Sequence, residues 1–175
     1  MTAIVVLPPL VAYVLYSTWR PRALMNYGEL IKPVPLAEVV VPADAAMSQL
    51  GRLKGKWVLL TVDGGACDGY CQRKLYILRQ LRLTQGKDME RIERAWLVDD
   101  DAPTEASVVE EYKGTARIPA RGSALLSALP FAGNLRDHVY LIDPLGNLIM
   151  RYPRDPDPNG MKKDLARLLR TSRIG

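Results

Sequence analysis

Cys67 and Cys71 are the only cysteines among 175 residues, and His138 is the only histidine. Two thiols four residues apart on a helix stand one turn apart on one face. Oxidised, such a pair can close a disulfide. Reduced, it can aim two thiolates at one soft ion such as Cu(I). The spacing is one residue wider than the C-x-x-C of redox motifs. The counts alone exclude a disulfide-dense scaffold and a four-ligand Cys/His zinc site. Placement favours chemistry: Cys67 follows an apolar run, Trp57 to Val62, and the break Asp63-Gly64-Gly65, and opens a helix. Unpaired N–H groups and the helix dipole lower a thiol pKa there. Two other readings stay open, a purely structural disulfide and a pair of inert thiols on a core-facing stripe.

The pair needs elements to hold it. The run WVLLTV reads as a central strand covered on both faces. From about Asp68 to Thr84 the pattern is helical. Cys67, Cys71, Leu75 and Leu78 form one stripe, and Arg73, Lys74, Arg79 and Arg82 fall mostly elsewhere around it. Ala95 to Val98 is a second apolar strand, closed by Asp99-Asp100-Asp101. That triplet reads as a solvated turn, since no carbonyl-rich loop accompanies it to make a hard-metal site. Pro103 and Thr104 open a helix to about Tyr112, and Ser123 to Leu129 is a short helix stopped by Pro130. Val139–Ile142 and Leu148–Tyr152 make a hairpin around Asp143-Pro144-Leu145-Gly146-Asn147. Gly160 to about Arg170 is the last helix. Met161, Leu165, Leu168 and Leu169 form its stripe, with Lys162, Lys163, Arg167 and Arg170 opposite. The order β-α-β-α-(α)-β-β-α predicts an α/β, thioredoxin-like three-layer sandwich with a central mixed β-sheet.

Ahead of this domain, Thr2 to Trp19 is an eighteen-residue stretch with no side-chain charge. As a helix it would be roughly 27 Å long, near the thickness of a bilayer core. Tyr13, Tyr16 and Trp19 gather where an interfacial aromatic belt would sit, and Arg20 and Arg22 end the run. A single N-terminal transmembrane helix is therefore expected. A cleaved signal peptide and a buried core helix are the alternatives. The expected organisation is an anchor over 1–22, a tether over 23–35 and the thioredoxin-like domain over 36–175, whose first strand is Ala37 to Val41. The positive-inside rule, applied to Arg20 and Arg22, puts the domain in the cytoplasm. The net charge of +5 is too small to imply nucleic acid. The basic faces of the Arg73–Arg94 stretch and of the last helix read as solvated surfaces, or as docking faces for anionic lipid or an acidic protein. No Walker loop, GxGxxG or HExxH is present.

Three segments resemble the Sco/SenC family of membrane-anchored, thioredoxin-fold proteins of cytochrome c oxidase assembly. GKWVLLTV followed by CDGYC is similar to its strand and CxxxC loop. WLVDDDAPTEASVVEEY resembles its strand, acidic turn and helix, and DHVYLIDPLGNLIMRY its histidine-containing segment. Asp68 and Gln72 stand where the family usually has proline, and His138 lies only two residues before Tyr140. The resemblance implies copper, Cu(I) above all, held by Cys67, Cys71 and His138. It also implies delivery to the oxidase subunit carrying the dinuclear copper site, from a single-pass protein of the bacterial inner membrane with its domain in the periplasm. It allows a second activity, a thiol:disulfide oxidoreductase using Cys67 and Cys71 on extracytoplasmic cysteines. On the residues alone, an ordinary strand-end role for His138 stays open beside the ligand role.

Overall fold

Six strands order as β1-β6-β5-β2-β3-β4 in one mixed sheet. The computed structural model describes residues 26–36 and 44–172, together with Tyr13 and Ile174. The expected anchor over 1–22 (Tyr13 apart) and the expected strand Ala37–Val41 lie outside the described residues. No helix among the described residues is long and apolar enough to cross a membrane.

The centre is built from the two apolar runs. β2 (Trp57–Asp63) is buried along its whole length and pairs in parallel with β3 (Ile92–Val98). The helix α2 (Gly69–Leu83) makes the crossover between them. β2 also pairs antiparallel with β5 (Val139–Ile142), and β5 with β6 (Asn147–Tyr152), the expected hairpin. Side chains alternate across this sheet. Val58, Leu60 and Val62 of β2, with Tyr140 and Ile142 of β5, pack towards α1 (Ala45–Gly51) and α4 (Ala124–Ala128). Trp57 and Leu59 point the other way, with Val139 and Leu141, towards α2 and α5 (Pro158–Thr171). That second layer also holds α3 (Ala106–Glu111), whose Val108 packs with Trp96 and Val98. Three layers around a mixed sheet are thus present.

Two strands differ from the expectation. Glu29–Pro35, read as part of a tether, is the edge strand β1, antiparallel to β6. Pro33 and Pro35 are compatible with a strand only because this is an edge, where missing N–H groups cost no ladder bond. β4 (Thr115–Pro119) closes the opposite edge and was not expected, because of its five residues only Ile118 is buried. α1 was also unforeseen. Its N-cap Asp44 accepts from Ala46 N and Met47 N and also binds Ser123 Oγ at 2.6 Å, joining the two short helices of that layer.

Candidate functional site: a disulfide beside a buried ion pair

The parity of β2 decides what lies beneath the cysteines. Trp57, Leu59, Thr61 and Asp63 share a face, so the last residue of the strand places a carboxylate under α2. There it meets Lys74, whose Nζ lies 2.7 Å from Asp63 Oδ2. Lys74 is 1% exposed. Its Nζ also donates to Val62 O and to Arg136 O, and it sits 5.0 Å from the Tyr70 ring centroid. The sequence reading put Lys74 off the cysteine stripe. It lies three residues beyond Cys71 and belongs to that buried face, because an ion partner waits there. Burial outweighs attraction on both partners. Desolvation pushes the Asp63 carboxyl up to about 6 against the pull of Lys74, and pushes the Lys74 ammonium down.

Cys67 and Cys71 are joined in a disulfide, with their Cα atoms 5.1 Å apart. Cys67 does not open the helix as expected. It precedes the N-cap in a left-handed conformation, φ 43°, which is sparsely populated for a residue with a Cβ. Asp68 is the cap. Its Oδ1 accepts from Tyr70 N at 3.0 Å and Cys71 N at 2.9 Å, so Cys71 is the sulfur in the first turn. The sulfurs lie on the core-facing side of the loop and helix. Cys67 is 3% and Cys71 1% exposed, packed with Leu75, Trp96, Val98, Val108 and Tyr112. One side remains polar. Both cysteines help line a cavity of about 420 Å³, shared with Asp63, Asp68, Tyr70 and Arg136.

The rim is held by two residues of the acidic triplet, Asp99 and Asp100. Arg136 Nε and Nη2 donate to Asp99 at 2.9 and 2.6 Å, and Nη2 reaches Asp100 at 3.1 Å. Asp100 Oδ1 accepts from Gly65 N at 2.7 Å and Ala102 N at 3.1 Å. The Gly65 bond is the main reason the Asp100 carboxyl is held below its usual range. These two carboxylates are therefore neither a metal site nor a solvated turn: they clamp the cysteine loop to the segment before β5. Glycine is required at Gly65, which faces backbone, and Gly64 is crowded by side chains. A Cβ on Gly64 would strike Asp100 and Arg136, and one on Gly65 would strike the Ala102 carbonyl oxygen. Tyr70 adds a bond from Oη to Asp137 O at 3.1 Å.

His138 is not brought to the sulfurs. It is 6% exposed, and both ring nitrogens are engaged by backbone: Nδ1 with Tyr152 O at 3.0 Å, Nε2 with Ala132 O at 3.0 Å and Ala132 N at 3.3 Å. Among the described residues no three His, Cys, Asp or Glu side chains group to hold a metal ion. The set Cys67, Cys71 and His138 thus does not fit copper as arranged, because two donors are spent in a covalent bond and the third ties a strand end to a loop. Sequence reasoning missed Asp63, Lys74 and Arg136. The signals for the first two were a charged residue closing a fully apolar strand and a lysine at i+3 on the cysteine stripe.

A strand–loop–helix carrying a cysteine pair over a mixed sheet defines a thioredoxin-like protein. Residues 57–172 match the family described as transmembrane-like, thioredoxin-like, C-terminal domain, and the chain belongs to that family. No curated protein sequence matches it significantly. Among solved structures, yeast Sco1 with copper bound is similar at TM-score 0.58 and 15% identity, over 70% of this chain and 84% of that one. ScoI of Bradyrhizobium japonicum with copper bound gives 0.50 and 17%, over 70% and 88%. A putative thioredoxin of Neisseria meningitidis gives 0.52 and 15%, over 85% and 93%. The resemblance to the Sco/SenC family is borne out in the fold.

Proposed function

We propose that this chain is a Sco-like thiol–disulfide redox protein whose working group is the Cys67–Cys71 pair. One observation carries the reading: the disulfide forms a wall of the same cavity into which a buried carboxyl, poised near neutrality, is delivered by β2. In the reducing direction, the Cys67 thiolate attacks one sulfur of a client disulfide. The Cys67–client bond forms, the client S–S bond breaks, and the released client thiolate takes up a proton. Cys71 then gives its proton to Asp63 and attacks Cys67 sulfur, closing the disulfide and expelling the second client thiolate, which is protonated in turn. Two thiols of the chain are oxidised as two client sulfurs are reduced. Asp63 suits the proton step because a base works best with a pKa near the working pH. We place residues 1–22 as a single-pass anchor of a bacterial inner membrane with the domain on the periplasmic side. Alkaline phosphatase fused after Gly175 should then be active, and an inactive fusion would reverse the orientation.

The test is single-turnover reduction of a small aromatic disulfide by the reduced full chain in detergent. Cys71→Ser should accumulate a mixed disulfide on Cys67, and Cys67→Ser should form none. A pair that no common dithiol can reduce, or equal rates in the variant lacking both cysteines, would remove the proposal.

The likeness to copper-bound Sco structures favours a second reading, with Cu(I) as cargo for the dinuclear site of an oxidase subunit. Two thiolates of the reduced pair can hold Cu(I) without an imidazole. Cu(I) titration of the reduced chain separates the readings: one tightly held ion per chain, unchanged in His138→Ala, supports cargo, and exchange chemistry with no bound ion supports redox alone.

A further inference from the structure

The helical layer bearing α2 and α5 is charged unevenly. α2 contains no acidic residue. α5 contains one, Asp164, which is buried and accepts from Tyr27 N at 3.0 Å and Gly28 N at 2.8 Å. Lys162, Lys163 and Arg170 are exposed on α5, whereas Arg79 of α2 turns the other way and donates to Glu111 O of α3 at 3.3 Å. Acids stand on α3, as Glu110 and Glu111, and at the ends of α5, where Asp157 is the N-cap and Asp88 pairs with Arg91, which donates to Leu169 O. Between its ends the exposed stripe of α5 carries positive charge alone, on the side of the sheet where β1 runs.

The chain leaves the domain on that same side. Besides the two Asp164 bonds, Arg167 donates to Asn26 Oδ1 at 3.2 Å, and Tyr27 Oη accepts from Asp157 N at 2.8 Å. The Tyr27 ring lies where a Cβ on Gly160 would be. Residues 26–28 are thus stapled along the first half of α5. Five residues, spanning six Cα–Cα steps, separate Arg20 from Asn26, a reach of roughly 20 Å at full extension.

We infer that the exposed face of α5, with Lys162, Lys163 and Arg170, docks the domain on an anionic lipid surface. The inference rests on the anchor proposed above, which would hold α5 within one short chain length of the head groups. Cations near such a surface are drawn to it. Docking lays the layer against the bilayer and leaves the far edge of the sheet facing away.

The experiment reconstitutes the full chain into phosphatidylcholine vesicles, with and without phosphatidylglycerol. A membrane-impermeant amine-acetylating reagent then labels exposed lysines, read by mass spectrometry. Lys113, at the acidic edge, is the internal standard. Labelling of Lys162 and Lys163 should fall about fivefold on anionic vesicles only and return in high salt. In Lys163→Glu/Arg170→Glu the protection of Lys162 should disappear. Flotation with neutral vesicles tests the anchor separately. A chain that floats only with anionic vesicles, lysines protected, loses the anchor and keeps the docking face. Equal labelling on both vesicle types overturns the docking face, and leaves an acidic protein as the partner this surface would fit.

Discussion

Asp63 couples the chemistry of the site to its stability. Burial pushes its carboxyl up to about 6 in the folded state, from an ordinary value near 3.8. A folded pKa raised above the unfolded one means the protonated form is the one the fold prefers. The contribution is fully present below about pH 4 and is lost as pH rises through about 6, a change of about 3 kcal/mol. Asp63→Asn should flatten the stability curve over that window, measured by urea unfolding. It should also abolish the inflection near pH 6 in the rate of client-disulfide reduction. An unchanged rate profile would take Asp63 out of the proton step. His138 is a different case. Its removal leaves the Tyr152 carbonyl oxygen without its imidazole partner in a buried setting, which costs about 2 kcal/mol. His138→Ala should lower Tm by about 6 °C and leave disulfide reduction within about twofold. A tenfold loss of rate would give the imidazole a chemical role. The sequence could not separate these roles. Being the only imidazole made His138 look like a ligand, whereas its partners are main-chain atoms 6 and 14 residues away, which no motif encodes.

At the scale of elements, strong periodicity survived and weak periodicity did not. β2, β3, the hairpin and the helices α2 and α5 are long apolar runs or clean stripes, and each was readable from residues alone. β1 and β4 were not, because an edge strand buries little. β1 is mostly solvent-facing with two prolines, and β4 buries only Ile118. The cysteine loop was half readable. Asp63-Gly64-Gly65 announced a turn, but not that both glycines press against the Asp99–Ala102 segment. Gly65→Ala tests this contact. Its added Cβ has no room beside the Ala102 carbonyl, so the loop must shift away from Asp100 and lose the 2.7 Å bond. The expected result is a loss of about 2 kcal/mol in stability with a slower second step of exchange, as Cys71 loses its alignment with Cys67. Unaltered kinetics at lowered stability would show that the clamp supports the fold and not the geometry of the sulfurs.

Across the whole molecule, one buried carboxylate decides how the chain before the domain is joined to it. Asp164 lies on α5, but its two hydrogen bonds go to backbone N–H groups of Tyr27 and Gly28, 137 and 136 residues away. β1 follows at once and pairs Glu29 with Arg151 and Leu30 with Met150, so the staple also sets where the edge strand begins. Hydrogen bonds to a charged acceptor are worth about 1.5–3 kcal/mol each. Asp164→Ala should therefore cost about 3 kcal/mol, felt locally: edge strands open without the centre of the sheet when few contacts hold them. Amide exchange over residues 27–34 should speed up about a hundredfold, while β2 and β3 keep their protection. Uniform acceleration over all six strands would mean that the staple belongs to the cooperative core. Local loosening would mean that the domain stands without it, and that the staple fixes the direction from which the preceding chain arrives. In that case Asp164→Ala should also weaken the vesicle protection of Lys162 and Lys163, although it removes no exposed charge from the docking face.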